Sequence, residues 1–126
     1  MDYGKLNLRI ARTYTTAQLN GSTNTFTPKG DLRLVVVDIK GDTPGAMGVI
    51  LAVNDFVAES SAGKSFADAI GVELTGNQWS WTNYRQSWSD QKAAPFSFSV
   101  AFALDKKIEK FKLHCGNVIL ETQISK

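Results

Sequence analysis

The chain has 126 residues, the length of one domain, and we expect residues 1–126 to fold as a single unit with its own core. Hydrophobic residues make up 43% and charged residues 21%, a balance that excludes a disordered chain. One Cys and one His are too few for an intramolecular disulfide, a structural zinc site or a Cys/His metal cluster, so we expect no metal and no cofactor. A net charge of only +2 gives no electrostatic footprint for nucleic acid.

The first third of the chain predicts two strands separated by a polar segment. Residues 5–10 alternate apolar and polar side chains, which is the two-residue period of a half-buried strand. Residues 13–29 are rich in Thr, Asn, Gly and Ser and predict a surface connection, with an irregular edge strand around 23–27. Residues 32–39 are rich in β-branched side chains and predict a core strand, which the turn residues 41–45 end.

The middle of the chain is less regular. Residues 47–53 form a short apolar run that suits a strand covered on both faces. Residues 66–74 fit either a strand or a short helical turn, and we favour the strand although Gly71 would weaken it. In the short strand that follows, Trp79 and Trp81 share one face, with Ser80 on the other.

The last third of the chain gives the clearest alternation. After a polar connector at 90–95, residues 96–104 place large apolar side chains on one face and small ones, Ser97, Ser99, Ala101 and Ala103, on the other. Residues 111–115 and 118–124 alternate in the same way, and Gly116-Asn117 between them is a two-residue hairpin signal. About seven or eight short strands and no long amphipathic helix predict an all-β sandwich or barrel.

The order of these motifs resembles the telokin-like family of immunoglobulin-like domains of unknown function. The resemblance is carried by the run PKGDLRLVVVDIK at 28–40, by Asn54-Asp55-Phe56 and Gly63-Lys64-Ser65-Phe66, and by the late pair FALD at 102–105 and FKL at 111–113. The chain differs from the family at Gly41, where members usually have Asn, and at Ala93-Ala94-Pro95, where they have Pro-Gly. The resemblance implies an immunoglobulin-like β-sandwich of the cell envelope or extracellular space, and it carries over no active site.

The N-terminal sequence MDYGKLNLRI lacks the apolar run of roughly 7 to 15 residues that a signal peptide requires. We therefore expect no secretion signal in this chain, although a recloned mature domain would look the same. The longest apolar stretches, 34–37 and 49–53, are far shorter than the roughly 20 residues that span a bilayer, so we expect no membrane insertion.

The densest unusual feature is the segment QWSWTNYRQSW at 78–88, which holds all three tryptophans. Flat aromatic faces flanked by amide groups suit sugar rings, and Trp, Tyr and Arg are also enriched at protein-binding hot spots. The candidate ligand-binding residues are therefore Trp79, Trp81, Tyr84, Arg85 and Trp88. In the alternative interpretation, Trp79 and Trp81 fill a core and Trp88 caps one end of the sandwich.

The single His and the single Cys are adjacent, so on a strand they point to opposite faces and cannot form a nucleophile and base pair. Cys115 lies on the same strand face as Phe111 and Leu113, which alternate with it, and this predicts that the thiol is buried as a small hydrophobic group. His114 lies on the same strand face as Lys112, which predicts a position at the surface. The sequence shows no partner residue for its imidazole.

Two groups of charged residues complete the search for sites. Asp38, Asp42 and Asp55, or Glu59 and Asp68, could approach one another in loops and hold calcium, but no EF-hand pattern is present and we favour solvated side chains. The only basic cluster predicts a solvated face that discourages edge-to-edge aggregation; it consists of Lys106, Lys107, Lys110 and Lys112.

These patterns favour a non-catalytic binding or interaction module with a protein or glycan partner. A carbohydrate-binding module that uses residues 79–88 and a small structural or assembly subunit are the alternatives. Catalysis by two carboxylates stays open, because any two of the 12 acidic residues might meet across a cleft.

Overall fold

The computed structural model describes residues 3–21, 24–43, 47–60, 65–73, 79–81, 85–90 and 94–124; for 47–50 and 85–90 it describes the backbone alone. These residues contain no α-helix, only short 3₁₀ helices at Tyr3–Leu6 and Val53–Asp55. Within the same residues, no helix has the length and apolar character needed to cross a lipid bilayer.

The described strands are, in chain order, β1 (Arg9–Thr16), β2 (Leu19–Asn20), β3 (Thr25–Phe26), β4 (Leu32–Thr43), β5 (Met47–Ala52), β6 (Phe56–Ser60), β7 (Ser65–Asp68), β8 (Gly71–Glu73), β9 (Ser80–Trp81), β10 (Arg85–Asp90), β11 (Ala94–Asp105), β12 (Lys110–Cys115) and β13 (Val118–Gln123). A five-stranded sheet has the order β1-β4-β11-β8-β9, and a four-stranded sheet has the order β13-β12-β6-β7. The pairs β2-β3 and β5-β10 form two further small sheets. All pairings between these strands are antiparallel, and the two larger sheets pack together as in a sandwich.

The main core lies between the two larger sheets. From β4 it takes the inward positions Val35, Val37 and Ile39, and from β11 the large face predicted from the sequence, including Phe98 and Phe102. The four-stranded sheet contributes the alternate residues of β6 and β12, among them Phe56, Leu113 and Cys115. A hydrogen bond between the hydroxyls of Thr13 on β1 and Thr122 on β13 joins the two sheets at one edge.

A second core lies on the outer face of the five-stranded sheet. Leu34 and Val36 of β4 and Ala101 of β11 point away from the main core and are fully buried there. The β2-β3 hairpin covers them with Leu19 and Phe26, and Trp79 fills the space beside them. The apolar run at 34–37 is therefore buried on both faces, which explains why it lacks alternation.

The structure corrects the prediction of a strand at residues 5–10. Tyr3–Leu6 is a 3₁₀ helix and β1 begins only at Arg9, because Asn7 between them adopts the left-handed backbone conformation with φ of 50°. Leu6 and Leu8 are nevertheless buried, so the apolar alternation correctly marked core residues while giving the wrong local structure.

The polar segment 13–29 is also more ordered than predicted. It holds the end of β1 and all of β2 and β3. The described residues form thirteen strands in total, more than the expected seven or eight. The predicted edge strand around 23–27 is present at Thr25–Phe26. In the region 66–74, where a strand was preferred over a helical turn, the structure has two strands, β7 and β8, which belong to different sheets. The predicted connector at 90–95 is shortened because β11 already begins at Ala94.

Candidate functional site

A row of four polar side chains crosses the outer face of the five-stranded sheet beside the second core. Arg12 of β1 is paired with Asp38 of β4, Asp38 with Ser99 of β11, and Ser99 with Glu73 of β8. Directly paired residues on neighbouring strands place their side chains on the same face. These four residues therefore form one line from β1 to β8, which we call the polar row.

Asp38 is the centre of the polar row. One of its carboxylate oxygens, Oδ1, accepts a hydrogen bond of 2.6 Å from the Ser99 hydroxyl. The other, Oδ2, accepts from Nε of Arg12 at 3.3 Å, and Nη2 of the same guanidinium lies 3.3 Å away. Asp38 thus contacts both neighbours, and its charge is balanced by Arg12.

Tyr14 borders the polar row two residues after Arg12. The guanidinium carbon of Arg12 lies 4.0 Å from the centroid of the Tyr14 ring, so the cation stacks on the aromatic face. Burial raises the pKa of Tyr14, and the negative charge of Asp38 raises it further. Tyr14 therefore stays protonated and offers a neutral phenol to the site.

Glu73 ends the polar row on β8. Its side chain is half-buried and has no hydrogen-bond partner among the described residues. Burial raises the pKa of Glu73, and the charge of Asp38 on the same face adds to the effect. Among the described residues, Glu73 is thus a carboxyl group whose oxygens could still accept a hydrogen bond.

These residues line an open groove of about 550 Å³, to which Lys40 and Ser97 add further polar groups. We call it the outer groove. Its floor is the strand backbone of β4 and β11, since the side chains of Ile39 and Phe98 point into the main core. Two acids and two bases surround it, so the groove is close to electrically neutral.

The outer groove suits binding through side-chain hydrogen bonds. It holds a guanidinium donor, two carboxyl groups as acceptors, hydroxyls and one aromatic ring. The described residues contain no group of three or more His, Cys, Asp or Glu side chains that could hold a metal ion. The groove therefore offers donors and acceptors of hydrogen bonds, and the charges of its lining residues balance.

The structure places two of the five predicted site residues against the second core. Trp79 is only 8% exposed and packs with Leu34 and Val36. Trp81 is half-buried, and its Nε1 donates to the side-chain oxygen of Asn24. Its ring lies so close to Gly21 that a Cβ there would overlap with it, at 2.8 Å. As predicted, both indoles lie on one face of the sheet, but this face is the outer one.

The other three predicted residues are not brought into this arrangement by any described contact. Arg85 and Trp88 lie in β10, paired with Ala52 and Val49 of β5, and only their backbone is described. Tyr84 lies outside the described residues.

His114 has a partner that the sequence did not reveal. Its Nε2 lies 2.7 Å from Oε1 of Glu59, on the outer face of the four-stranded sheet, and the exposed ring of Phe66 is 6.4 Å away. The expectation that His114 has no partner is therefore wrong, because strand pairing brings β6 beside β12. Cys115 is fully buried as predicted, and burial raises the pKa of its thiol to about 12.

The acids considered as calcium ligands are held separately. Asp42 pairs with Arg9 at 3.1 Å, Asp55 accepts a hydrogen bond of 2.8 Å from the Tyr3 hydroxyl, and Asp38 belongs to the polar row. The lysines of the basic cluster are exposed, and two of them line a smaller groove of about 390 Å³ with Glu59 and Glu121.

Sequence reasoning did not single out Arg12, Tyr14 or Glu73 for a site, and it considered Asp38 only as a loop residue. The available signals were a charged residue within the apolar core strand, Asp38, and the small polar side chains of 97 and 99. The partners come from strands 26 to 61 positions away, which a local pattern does not connect.

A scan of protein-family models, a search of curated proteins and a search of solved structures each find no match to this chain. The resemblance to telokin-like domains therefore stays a prediction.

Proposed function

We propose that this protein is a non-catalytic binding module, built as an immunoglobulin-like β-sandwich, whose ligand lies in the outer groove. The observation that carries the proposal is the polar row, in which Asp38 orients Arg12 and Ser99 before any ligand arrives. Preoriented groups lose less conformational entropy on binding, so they favour affinity. The two middle residues of the row, Asp38 and Ser99, lie on β4 and β11, the longest strands of the sheet, which give the row a rigid base.

Binding is favoured over catalysis by the way Asp38, the central carboxyl group of the groove, is used. Both oxygens of Asp38 already accept hydrogen bonds, so it is poorly placed to act as a base or nucleophile. His114, the only imidazole, lies on the other sheet with Glu59. A nucleophile, a base and an orienting group do not converge among the described residues.

The resemblance to telokin-like domains supports a place in the cell envelope or extracellular space. Trp79 is used for packing, which weakens the alternative of a carbohydrate-binding face made by residues 79–88. The alternative of a structural or assembly subunit rests on the exposed side chains of Phe66 and Ile119, on the outer face of the four-stranded sheet.

The test maps binding with backbone and arginine side-chain NMR signals, using separate additions of neutral oligosaccharides, an uncharged peptide, an acidic oligosaccharide and spermine. We expect one of these probes to shift signals of the outer groove, including Nε of Arg12. Ser97→Trp should then weaken that binding at least tenfold, because Ser97 is exposed on the groove and a large side chain there fills it.

Ser65→Trp is the matched control, since Ser65 is an exposed strand residue of the other sheet. It should leave binding unchanged. If none of the probes shifts groove signals, or if both variants have the same effect, the outer groove is not the ligand site.

A further inference from the structure

We propose that the ligand of the outer groove is a neutral oligosaccharide, whose hydroxyl groups bind to Asp38, Glu73 and Arg12. The inference rests on the proposed function, because it names the class of ligand for the same groove. Three observations support it: the balanced charge of the groove, the pairing of the β4 and β11 backbones with each other, and the hydrogen-bonding groups of the polar row.

The charge balance disfavours an ionic ligand. Arg12 and Lys40 would repel a cation, and Asp38 and Glu73 would repel an anion. The raised pKa of Glu73, caused by burial and by Asp38, shows that added negative charge is unfavourable at this end of the groove. A neutral ligand with many hydroxyl groups is repelled neither by the cationic nor by the anionic side chains.

The position of the groove disfavours an extended peptide. Peptides that bind to sheets usually add a strand at a free edge, where backbone N–H and C=O groups are available. The floor of the outer groove is instead formed by β4 and β11, whose backbones pair with each other along twelve consecutive positions. Recognition here therefore depends on side chains, which suits a ligand whose polar groups are hydroxyls.

The polar row offers partners for both roles of a hydroxyl. The oxygens of Glu73 accept hydrogen bonds, and the remaining N–H groups of Arg12 donate them. The row crosses three strand spacings, a distance of about 14 Å at about 4.8 Å per spacing, which is the length of a short oligosaccharide. Adjacent hydroxyls of one sugar ring can reach one carboxyl group together.

The test uses isothermal titration calorimetry with the folded chain and five probes: a glucose hexasaccharide, an N-acetylglucosamine hexasaccharide, a galacturonic acid oligosaccharide, spermine and an uncharged peptide. We expect a neutral hexasaccharide to bind and the charged probes not to bind. Glu73→Gln should weaken that binding about tenfold, because a hydrogen bond to a charged acceptor is lost at a site that keeps its shape.

Glu121→Gln is the matched control, because Glu121 is an exposed strand residue of the other sheet, and it should change nothing. Denaturation curves of both variants show whether they fold as well as the original chain. Should Glu73→Gln prove unstable, Ser97→Trp supplies the second groove variant.

The outcomes separate the ligand class from the binding module. If spermine, the acidic oligosaccharide or the peptide binds and Ser97→Trp blocks it, the groove is a ligand site but the oligosaccharide proposal is wrong. If a neutral hexasaccharide binds and neither Ser97→Trp nor Glu73→Gln weakens it, the sugar site lies elsewhere and both proposals are wrong. If no probe binds, both proposals are also wrong.

Discussion

Gly30 and Gly116 share a left-handed backbone, with φ of 65° and 59°, but their surroundings differ. A Cβ on Gly30 would meet no atom within 4 Å. A Cβ on Gly116, in the turn between β12 and β13, would lie 2.7 Å from the ring of Tyr3. Tyr3 is only 1% exposed and is held by its hydrogen bond to Asp55, so the ring has little room to move away.

We therefore predict that Gly116→Ala destabilises the fold more than Gly30→Ala. Both variants pay the cost of a left-handed alanine, about 1–2 kcal/mol. Gly116→Ala adds an overlap with the buried ring of Tyr3, which costs about 1–3 kcal/mol more. Urea denaturation measures both. Equal losses of stability would mean that the Tyr3 ring adjusts freely.

The pair of His114 and Glu59 shows that a local sequence pattern does not predict contacts between distant strands. Parity correctly placed His114 away from Cys115, because alternation along a single strand needs no knowledge of other strands. Its partner lies 55 positions earlier and is reached only through the pairing of β6 with β12. The same reason kept Glu73 and Arg12 from being connected to Asp38.

At the scale of elements, the short β2-β3 hairpin explains the structural role of the polar segment 13–29, which is to cover the second core. Among the described residues of this hairpin, Leu19 and Phe26 pack against the second core, and most of the others are polar. The sequence pattern therefore predicts a surface connection. Strands with strong alternation, such as β11 and β12, were predicted within a few residues. Two-residue strands like β2 and β9 carry no period of their own, and their pairing comes from tertiary packing.

The packing of the second core predicts different contributions to stability for Trp79 and Trp81. Trp79→Ala should destabilise the fold by about 3 kcal/mol or more, because it removes a nearly buried indole. Trp81→Ala should cost about 1–2 kcal/mol, because the Trp81 ring is partly exposed at the edge strand β9. Urea denaturation of the two variants tests this order.

A Trp79→Ala variant that kept its full stability but lost ligand binding would contradict the packing role. That result would support a ligand site in the aromatic segment 78–88.

At the scale of the whole molecule, the main core contains two weak acids that must stay protonated. Burial raises the pKa of Cys115 to about 12, from 9.0. Burial and the hydrogen bond to Asp55 also raise the pKa of Tyr3 above its ordinary value of 10.0. Both groups release their protons more easily in the unfolded chain than in the folded one.

We therefore predict that the free energy of unfolding falls at alkaline pH. The contribution of Cys115 is complete below pH 9.0, the pKa of the unfolded thiol, and is lost as the pH rises toward about 12. Each group changes the stability by at most about 1.4 kcal/mol per pH unit. Denaturation curves from pH 7 to 11 test this. Cys115→Ala should flatten the part of the decline that begins near pH 9.0, and a flat profile in the original chain would contradict the prediction.

The long pairing of β4 with β11 ties the binding surface to correct folding. Successive residues of β11 alternate between the core, as Phe98 does, and the groove, as Ser99 does. A slip of one residue in this pairing would place phenylalanines in the groove and serines in the core. A misfolded molecule with that error would lose its site and its core together. Among the molecules of a preparation, those able to bind in the outer groove are therefore the ones whose central strands are correctly aligned.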